Sequence, residues 1–546
     1  MRVFAPLPLA LAALLAALAP TARAANCTSW SDRFQQDIDG VCVCTASDCD
    51  TVYNGHLFIS GNEAGVFQTS KAGHRLDFST IDVTAGTDAA ADLVIDSSTT
   101  YQSIIGFGGS FTDAVAINVN LLTSVVQDLL FEAYFGDAGL QYTLGRIPIS
   151  STDFSTTIYS YNDVEGDLAM DNFSIDMDKT SGKIDVITRA MSESSRGLKL
   201  FATSWAPPAW MTNENSTINC SLKGYPGGEY WAALALYYSK FIAAYEAEGV
   251  PIWALTTQNE PTMQAALKYW QSLRFNTTTE RDFIKLDLGP TLAANGQSDV
   301  KIIMMDDQKD LLADWDAALL DAEAAQYVSG VGVHWYKDLD FVTDLLGNFD
   351  ALSTFHATYP DVFILATEAC EGYLVAGLGT GAGAKLLEGS DTNWKRGENY
   401  ARDIIKDLDN FATGWTDWNL ALNTSGGPSW VGNEVDAPIL VDEEGGAELY
   451  KQPMFYVMGH FSKFLPADSK RVDVTLSSTA TTTLAKVDQV AFLTPDNQVA
   501  LILLNRDTAD HEISVSLSAQ NITTNVTLLA NSVQTVIVGE AQRSSC

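Results

Sequence analysis

The sequence predicts an α/β protein with a (β/α)8 TIM barrel and an all-β sandwich side domain built from both ends of the chain. Between residues 104 and 420, eight short apolar runs alternate with helical stretches such as Tyr230–Glu248 and Ala317–Tyr327. Eight strands alternating with helices specify a barrel more economically than an open doubly wound sheet. Outside this region, apolar and polar residues alternate in short pieces, which is typical of antiparallel strands. We therefore assign residues 101–467 to the barrel and residues 51–100 and 468–546 to one β-sandwich.

Residues 1–24 are predicted to be a signal peptide. They contain Arg2 and the apolar run Leu7–Leu18, and they end on Ala22-Arg23-Ala24, which fits the small-x-small rule for signal peptidase. No later stretch approaches the roughly 20 apolar residues needed to span a bilayer, so no transmembrane segment is expected. Eight Asn-x-Ser/Thr sequons predict a glycoprotein. We expect a protein of the secretory pathway, located in a lysosome or vacuole or outside the cell.

Residues 25–50 are predicted to be a disulfide-stapled segment, because four of the seven cysteines lie there. In an exported protein such a cluster indicates two bridges, and we expect Cys27 to pair with Cys42 and Cys44 to pair with Cys49. Cys370 lies two residues from an acidic side chain that is discussed below, but no motif supplies a base for it. It is interpreted as a buried, inert thiol.

The charge of the chain excludes some partners. With 32 basic and 68 acidic residues, the formal net charge is −36. This field repels nucleic acid and, at neutral pH, anionic membranes. At acid pH part of the carboxylate charge is neutralised, so an anionic lipid or an activator protein is a candidate partner there.

Two predicted barrel strands end on a glutamate. The run Ile252–Leu255 is followed by Asn259, Glu260 and Pro261, and the run Val362–Thr367 is followed by Glu368. A single Asn-Glu-Pro indicates an acid in the first turn of the next helix, which complements the helix dipole. Two strands that both end on a glutamate favour a functional interpretation, because all barrel strands place their last residues on the same face. Two carboxylates on one face are the equipment of a glycosidase.

The other predicted strands end on aromatic, acidic and amide side chains. In chain order these are Asp113; Arg146 and Asp153; Trp205 and Trp210; Asp306, Asp307 and Gln308; His334, Trp335 and Tyr336; and Trp415, Asp417, Trp418 and Asn419. Aromatic rings cover the apolar faces of a pyranose, while acids and amides bind its hydroxyls. This mixture predicts a sugar site at the carboxyl ends of the strands.

Several of these residues have a structural interpretation beside the functional one. Arg146 either neutralises a buried acid or keeps a nucleophilic carboxylate ionised. His334 is equally compatible with a core histidine and with a site residue, and no neighbouring motif makes it a metal ligand. Trp415 is expected to pack inside the protein, because residues alternate faces along a strand. Asp306 and Asp307 are interpreted as helix-capping or loop residues, not metal ligands.

The chain resembles a known family through motifs that run from the cysteine cluster to about residue 538. The most specific blocks are Gly106–Asp113, Arg146–Pro148, Asp153–Ser155, Asn259–Pro261, Phe283–Leu292, His334–Tyr336, Ala366–Cys370, Gly414–Leu422 and Lys451–Tyr456. They are similar to those of the lysosomal glucocerebrosidases (acid β-glucosidases, glucosylceramidases) of glycoside hydrolase family 30.

The resemblance implies a retaining mechanism, with Glu260 as general acid/base and Glu368 as nucleophile. The two carboxyls are then expected about 5 to 5.5 Å apart. The resemblance also implies the substrate contacts, which are Asp113, Trp205, Asn259, Tyr336, Trp418 and Asn433. Arg146 and His334 are expected to support the carboxylates.

The first hypothesis is hydrolysis of β-glucosylceramide to glucose and ceramide, without a metal or organic cofactor. The sequence departs from the family at Tyr269-Trp270 and in the glycine-rich loop between Gly372 and Trp394. An alternative is therefore a related retaining enzyme that acts on a β-glucan, a β-xyloside or a steryl glucoside. A rival of another class is a non-catalytic glycoprotein that binds sugar or lipid. It predicts the loss of a catalytic glutamate, yet both are present.

Overall fold

The chain folds into a parallel barrel, a second closed β domain and a small sheet that includes the N-terminal segment. The computed structural model describes residues 27–52, 62–262, 269–338, 348–375 and 378–539. The predicted signal peptide, residues 1–24, lies outside the described residues. Among the helices that are described, none is both long and apolar enough to cross a membrane.

Eight parallel strands form the barrel. They are β1 (Gly106–Ser110), β2 (Leu144–Ile149), β3 (Lys199–Ser204), β4 (Ala254–Thr256), β5 (Lys301–Gln308), β6 (Val328–His334), β7 (Phe363–Glu368) and β8 (Ala412–Asp417). Each strand pairs with its neighbour in chain order, and β8 pairs with β1 to close the barrel. The eight predicted strands are all present, and the predicted fold class is confirmed.

Buried apolar side chains and close-packed glycines make this barrel. The inward-facing core contains Leu144, Phe201, Ala254, Ile303 and Leu365. Gly108 and Gly414 allow neighbouring strands to approach closely. A Cβ atom at Gly108 would lie 1.8 Å from the carbonyl oxygen of Leu144, and one at Gly414 would lie 2.1 Å from that of Gly106. Glycine is therefore required at both positions.

Helices connect and cover the strands. The α-helices are Asp113–Leu121, Ser124–Phe135, Asp176–Thr180, Lys183–Glu193, Glu229–Ala247, Thr277–Phe283, Gly289–Ala294, Ala317–Leu320, Ala322–Ala325, Phe349–Thr358, Ser390–Asp409, Pro453–Ser462 and Ala480–Thr483. The prediction of one helix over Ala317–Tyr327 is wrong. Asp321 has an extended backbone there, and its side chain accepts from the N–H groups of Glu323 and Ala324, which ends one short helix and caps the next.

Both ends of the chain contribute to the second β domain. Its strands are Glu63–Ser70, Arg75–Ala85, Leu93–Ser103, Lys470–Leu476, Val487–Leu493, Val499–Asn505, His511–Leu517, Ile522–Leu528 and Ser532–Val538. The first and last of these pair antiparallel, with Ser70 opposite Ser532. Hydrogen bonds join all nine strands in a ring around a core of their own. Residues 53–61, which the sequence assigns to this domain, lie outside the described residues.

The N-terminal segment is tied to the barrel side of the molecule. Disulfides join Cys27 to Cys42 and Cys44 to Cys49. Between them, strand Cys42–Thr45 pairs with Glu448–Lys451 in a four-stranded sheet. The disulfide-bonded N-terminal segment thus contributes an edge strand, which pairs with a strand that follows the barrel in the chain.

Candidate active site

A cavity of about 550 Å³ opens at the carboxyl ends of the barrel strands. Seven of the residues predicted from the sequence line it: Trp205, Asn259, Glu260, Tyr336, Glu368, Trp418 and Asn433. Two others, Arg146 and His334, are fully buried behind this surface and contact the glutamates. The barrel therefore brings together side chains that are up to 287 residues apart in the chain, from Arg146 to Asn433.

Glu260 and Glu368 face each other across the floor of the cavity. An oxygen of each carboxylate and a ring nitrogen of His334 all lie within 4.8 Å of one another. The two glutamates are only 5% and 6% exposed, and both line the cavity. Such a separation fits a retaining glycosidase, because an inverting enzyme keeps its carboxyls about 6.5 to 9.5 Å apart to admit a water molecule.

Glu368 is held by a positive charge and a phenol. The buried guanidinium of Arg146 forms an ion pair with its Oε2 atom, and the Tyr336 hydroxyl donates to Oε1 at 2.8 Å. Arg146 also donates to Asn259 and to Asp306, each at 2.9 Å. Since Arg146, Asn259 and Asp306 are buried and Tyr336 is half-buried, the orientation of the Glu368 carboxylate is fixed before a ligand binds.

Glu260 contacts an amide and an imidazole. Gln308 donates from Nε2 to Glu260 Oε1 at 2.9 Å, and His334 Nδ1 lies 3.1 Å from the same oxygen. Burial lowers the pKa of His334, but Glu368, Asp306 and Glu260 outweigh it and raise that pKa to about 10. Its other ring nitrogen, Nε2, lies 3.1 Å from Asp306 Oδ1, so both nitrogens of His334 are paired with carboxylates. Its contacts place it in the site rather than in the core alone.

Asp306 links the supports of the two glutamates. Its Oδ2 atom is 2.9 Å from Arg146 Nη2, and its Oδ1 atom is 3.1 Å from His334 Nε2. Thr367 donates to the same Oδ1 at 2.6 Å. Burial raises the pKa of Asp306, but Arg146 and His334 reverse the effect and hold the pKa well below its usual range.

The backbone explains why sequence analysis missed this role. Asp306 and Asp307 lie within strand β5, so their interpretation as capping or loop residues is wrong. The pairing of β5 with β6 shifts register between Met305 and Asp307, and Met305 and Asp306 have φ values of 70° and 58°. This bulge turns the Asp306 side chain toward Arg146. Glu260 also has a positive φ, 42°, and its N–H donates to Asp306 O at 2.9 Å. Left-handed backbone at non-glycine residues is typical of functional sites.

Aromatic rings form one side of the cavity. The rings of Trp205 and Trp418 stack with centroids 5.0 Å apart, and Phe154 meets Trp418 edge-on at 5.7 Å. The Arg146 guanidinium lies 4.9 Å from the Trp205 ring centroid. Trp415 is fully buried and donates from Nε1 to Asp403, so it packs inside the protein, as expected.

Asp153, and not Asp113, lines the cavity beside the two glutamates. Asp153 lines the cavity, and its Oδ2 atom accepts from Asn433 Nδ2 at 2.7 Å. Burial, opposed by that hydrogen bond, raises the pKa of Asp153 to about 7. Asp113 is turned away toward Lys183, whose Nζ atom is 2.9 Å from Asp113 Oδ1. Asp113, a predicted substrate contact, is therefore not among the residues that line the cavity, whereas Asp153, which follows strand β2, is.

Loops beyond the strands add an apolar wall, formed by Trp270, Leu311, Tyr373 and Val435. Cys370 also lines the cavity, and its Sγ atom is 3.4 Å from the Tyr336 hydroxyl. Burial raises the pKa of the Cys370 thiol well above its usual value. This agrees with the interpretation of Cys370 as an inert thiol.

This chain is similar to known proteins over most of its length. Residues 104–465 match the glycosyl hydrolase family 30 TIM-barrel domain, and residues 468–536 match the glycosyl hydrolase family 30 beta sandwich domain. The chain is 40% identical to the lysosomal acid glucosylceramidase of Mus musculus, covering 87% of this chain and 89% of the relative. It is 39% identical to the putative glucosylceramidase 4 of Caenorhabditis elegans, covering 91% and 93%. The crystal structure of SrfJ from Salmonella typhimurium is similar, with a TM-score of 0.76, 25% identity, and coverage of 87% of this chain and 99% of that one. This chain belongs to glycosyl hydrolase family 30.

Proposed function

We propose that this protein hydrolyses the β-glucosidic bond of glucosylceramide to glucose and ceramide, with retention at the anomeric carbon. The observation that carries the proposal is the pair Glu260 and Glu368, whose oxygens lie within 4.8 Å of each other in a cavity flanked by stacked tryptophans. The choice of substrate is supported by relatives at 39% and 40% identity that are named glucosylceramidases.

In the first step, Glu368 is the nucleophile. A carboxylate oxygen attacks the anomeric carbon, the glycosidic C–O bond breaks, and Glu260 donates its proton to the departing oxygen of ceramide. The products of this step are free ceramide and a glucosyl ester on Glu368. The ion pair with Arg146 and the hydrogen bond from Tyr336 orient the attacking carboxylate.

In the second step, Glu260 becomes the base. It takes a proton from a water molecule, the hydroxide oxygen attacks the anomeric carbon, and the ester bond to Glu368 breaks. Glucose leaves and both carboxyls return to their starting protonation states. Two inversions at one carbon give net retention.

Sugar recognition is assigned to the side chains around this pair. We infer that Trp205 and Trp418 cover the apolar face of glucose, and that Asn259, Asn433 and Asp153 bind its hydroxyls. All five line the cavity. Tyr336 contacts Glu368 directly, so its role is to orient the nucleophile beside the sugar.

The apolar wall suits a lipid leaving group. Trp270 and Leu311 are partly exposed, whereas Tyr373 and Val435 are buried. A wall of this kind removes alkyl surface from water, at about 25 cal/mol per Å². It therefore favours a ceramide over a second sugar at this end of the cavity.

The protein is also proposed to act after export. The predicted signal peptide, the two disulfides and a relative named as lysosomal support passage through the secretory pathway. Delivery to a lysosome or vacuole, release from the cell, and contact with an anionic lipid or an activator protein at acid pH are finer proposals of the same kind.

The direct test is release of glucose from glucosylceramide by purified protein at acid pH, in detergent and in anionic lipid vesicles. Parallel reactions contain a β-1,6-glucan, an aryl β-xyloside and a steryl glucoside. We expect the highest kcat/KM with glucosylceramide. If only the glucan or the steryl glucoside releases glucose, the proposed mechanism stands and the proposed substrate is wrong. No release from any of them would contradict the proposal.

A further inference from the structure

A buried ion cluster lies behind the part of the cavity that Asp153 and Trp418 line. Lys183 Nζ, on a fully buried side chain, is 2.9 Å from Asp113 Oδ1 and 2.9 Å from Asp178 Oδ1. The Tyr159 hydroxyl lies 2.9 Å from an oxygen of each of these carboxylates. One cation, two carboxylates and the Tyr159 phenol therefore form a single network, to which Tyr161 and Tyr245 also donate through Asp178. Removing a member of such a network leaves a buried charge without its partner, so the geometry is strongly determined.

This cluster is bonded to the segment that carries Asp153. The Ser155 hydroxyl donates to Asp113 Oδ2 at 2.5 Å, and the Ala114 N–H donates to Phe154 O at 2.8 Å. Asp113 thus anchors Ser155, and Ala114 anchors Phe154. The first turn of the helix after β1 holds the loop after β2.

The anchored segment touches the cavity at two points. Asp153 faces the cavity and pairs with Asn433, while the ring of the next residue, Phe154, packs edge-on against Trp418. On its far side the segment is held by Trp430, whose N–H donates to Ser155 O at 2.9 Å. A shift of this segment would therefore move a carboxylate and a sugar-stacking ring together.

We propose that Asp113, Lys183 and Tyr159 are positioning residues that hold the Asp153 segment and thereby set the discrimination between glucose and related sugars. The inference rests on the proposed function and deepens it at the sugar end. None of the three residues is among those lining the cavity, so they act through Asp153 and Trp418 and not on substrate. Misplacement of a binding group by about 1 Å is enough to cost about 100-fold in rate.

The test compares two hydroxyl deletions. Tyr159→Phe removes the hydroxyl that bridges Asp113 and Asp178. Tyr245→Phe is the matched control, because the Tyr245 hydroxyl, on the helix Glu229–Ala247, donates to Asp178 and not to Asp113. For each protein, kcat and KM are measured with an aryl β-glucoside, the β-galactoside and the β-xyloside carrying the same leaving group.

We expect Tyr159→Phe to lower kcat/KM for the glucoside by about 10-fold and to change the ratios of kcat/KM among the three glycosides, because these sugars differ in the hydroxyl groups that Asp153 can bind. Asp113→Asn is expected to cause the same change with a larger magnitude. Tyr245→Phe is expected to leave the ratios of kcat/KM among the three glycosides unchanged. The fraction of folded protein is measured by thermal melting of each variant.

Unchanged ratios in folded Tyr159→Phe would overturn the inference, as would an equal change in Tyr245→Phe, which would indicate general loosening. Should Asp113→Asn fail to fold, Tyr159→Phe still decides. Wild-type protein that cleaves no β-glucoside would overturn the proposed function as well. The two failures are therefore distinguished by the wild-type rate.

Discussion

The catalytic centre and the apolar wall of the same cavity are built in different ways. The catalytic centre consists of Glu260, Glu368, Arg146, His334 and Asp306, which sit on or directly after barrel strands and are linked by buried ion pairs and hydrogen bonds. The apolar wall comes from loops and a short 3-10 helix beyond the strands, and it is held by packing. A rigid centre specifies the reaction, while a wall on loops can be changed without altering the chemistry. The reaction type is therefore more strongly determined than the leaving group.

The largest effect is expected from the catalytic centre, in Glu368→Gln. The side chain is nearly isosteric but is not a nucleophile, so turnover of every β-glucoside is expected to fall by at least about 10⁴-fold. The check is a rate measurement beside a thermal melt, with a native-like melting transition as the control for folding. Rates similar to wild type would remove Glu368 from the mechanism.

Glu260→Gln tests the role of Glu260 as the acid. Its effect should depend on the leaving group, because the acid gives its proton to that group. We expect a loss of about 10²- to 10⁴-fold with glucosylceramide, whose leaving alcohol needs a proton. With a dinitrophenyl glucoside, whose leaving group needs none, the bond-breaking step is expected to be nearly unaffected, measured as a burst of dinitrophenol. An equal loss of the burst would contradict the role of Glu260 as acid.

Asp306→Asn tests whether the catalytic centre behaves as one unit. Its loss leaves Arg146 and His334 without a shared carboxylate, and we expect kcat to fall by about 10- to 100-fold. Since Asp306 helps to raise the pKa of His334 to about 10, its removal is expected to lower that pKa, which is measured by NMR titration of the imidazole.

The matched control is Asp307→Asn, which removes a neighbouring carboxylate that accepts from Thr262. This variant is expected to keep the wild-type pKa of His334. A shift of the same size in both variants would show that the negative charge of the strand, and not the contact with Asp306, raises this pKa.

The apolar wall is tested by Trp270→Ala. We expect KM for glucosylceramide to rise by about 5- to 10-fold, because the lipid loses apolar contact, with no change for a small aryl glucoside. Tyr269→Ala is the control, since that neighbouring ring is 69% exposed. An equal rise with both substrates would place Trp270 in sugar binding instead.

A smaller effect concerns stability against pH. Burial raises the pKa of Asp153, Glu280 and Glu371 to about 7 in each case. These acids bind protons more tightly in the folded state, so their contribution to stability is full below the unfolded pKa near 4 and is lost as pH rises toward 7. His334, with its raised pKa, acts in the same direction above pH 6.5. His460, whose pKa burial lowers to about 3, opposes them.

The net expectation is a melting temperature a few degrees higher at pH 5 than at pH 7.5, measured by calorimetry. Substituting Glu280 with Gln, away from the cavity lining, is expected to reduce this difference without removing activity. A melting temperature that rises steadily from pH 5 to pH 7.5 would contradict the assignment.

The barrel could be predicted from the sequence because its signal is local. Strands buried on both faces require apolar runs, and both runs that precede Glu260 and Glu368 are of this kind. Asp306 could not be predicted in the same way, because its role depends on a bulge and a left-handed backbone that bring it to residues 160 positions away. No sequence pattern encodes that contact.

Asp113 and Asp153 show a second limit. Both follow barrel strands and both stand in specific motifs, so the sequence gives equal grounds for placing either carboxylate in the site. The two acids differ in position because the ion pair with Lys183 holds the Asp113 carboxylate away from the cavity. A partner 70 residues further along the chain thus determines which acid faces the cavity.

The central claim is that Glu368 attacks the anomeric carbon of a β-glucoside whose leaving group is ceramide. The most direct measurement is labelling with a β-glucose-configured cyclitol epoxide, followed by mass mapping of the modified peptide, with glucosylceramide as competitor. We predict one label, on Glu368, and protection by glucosylceramide. A label on another carboxylate, no label, or a Glu368 label that glucosylceramide fails to block would contradict the claim.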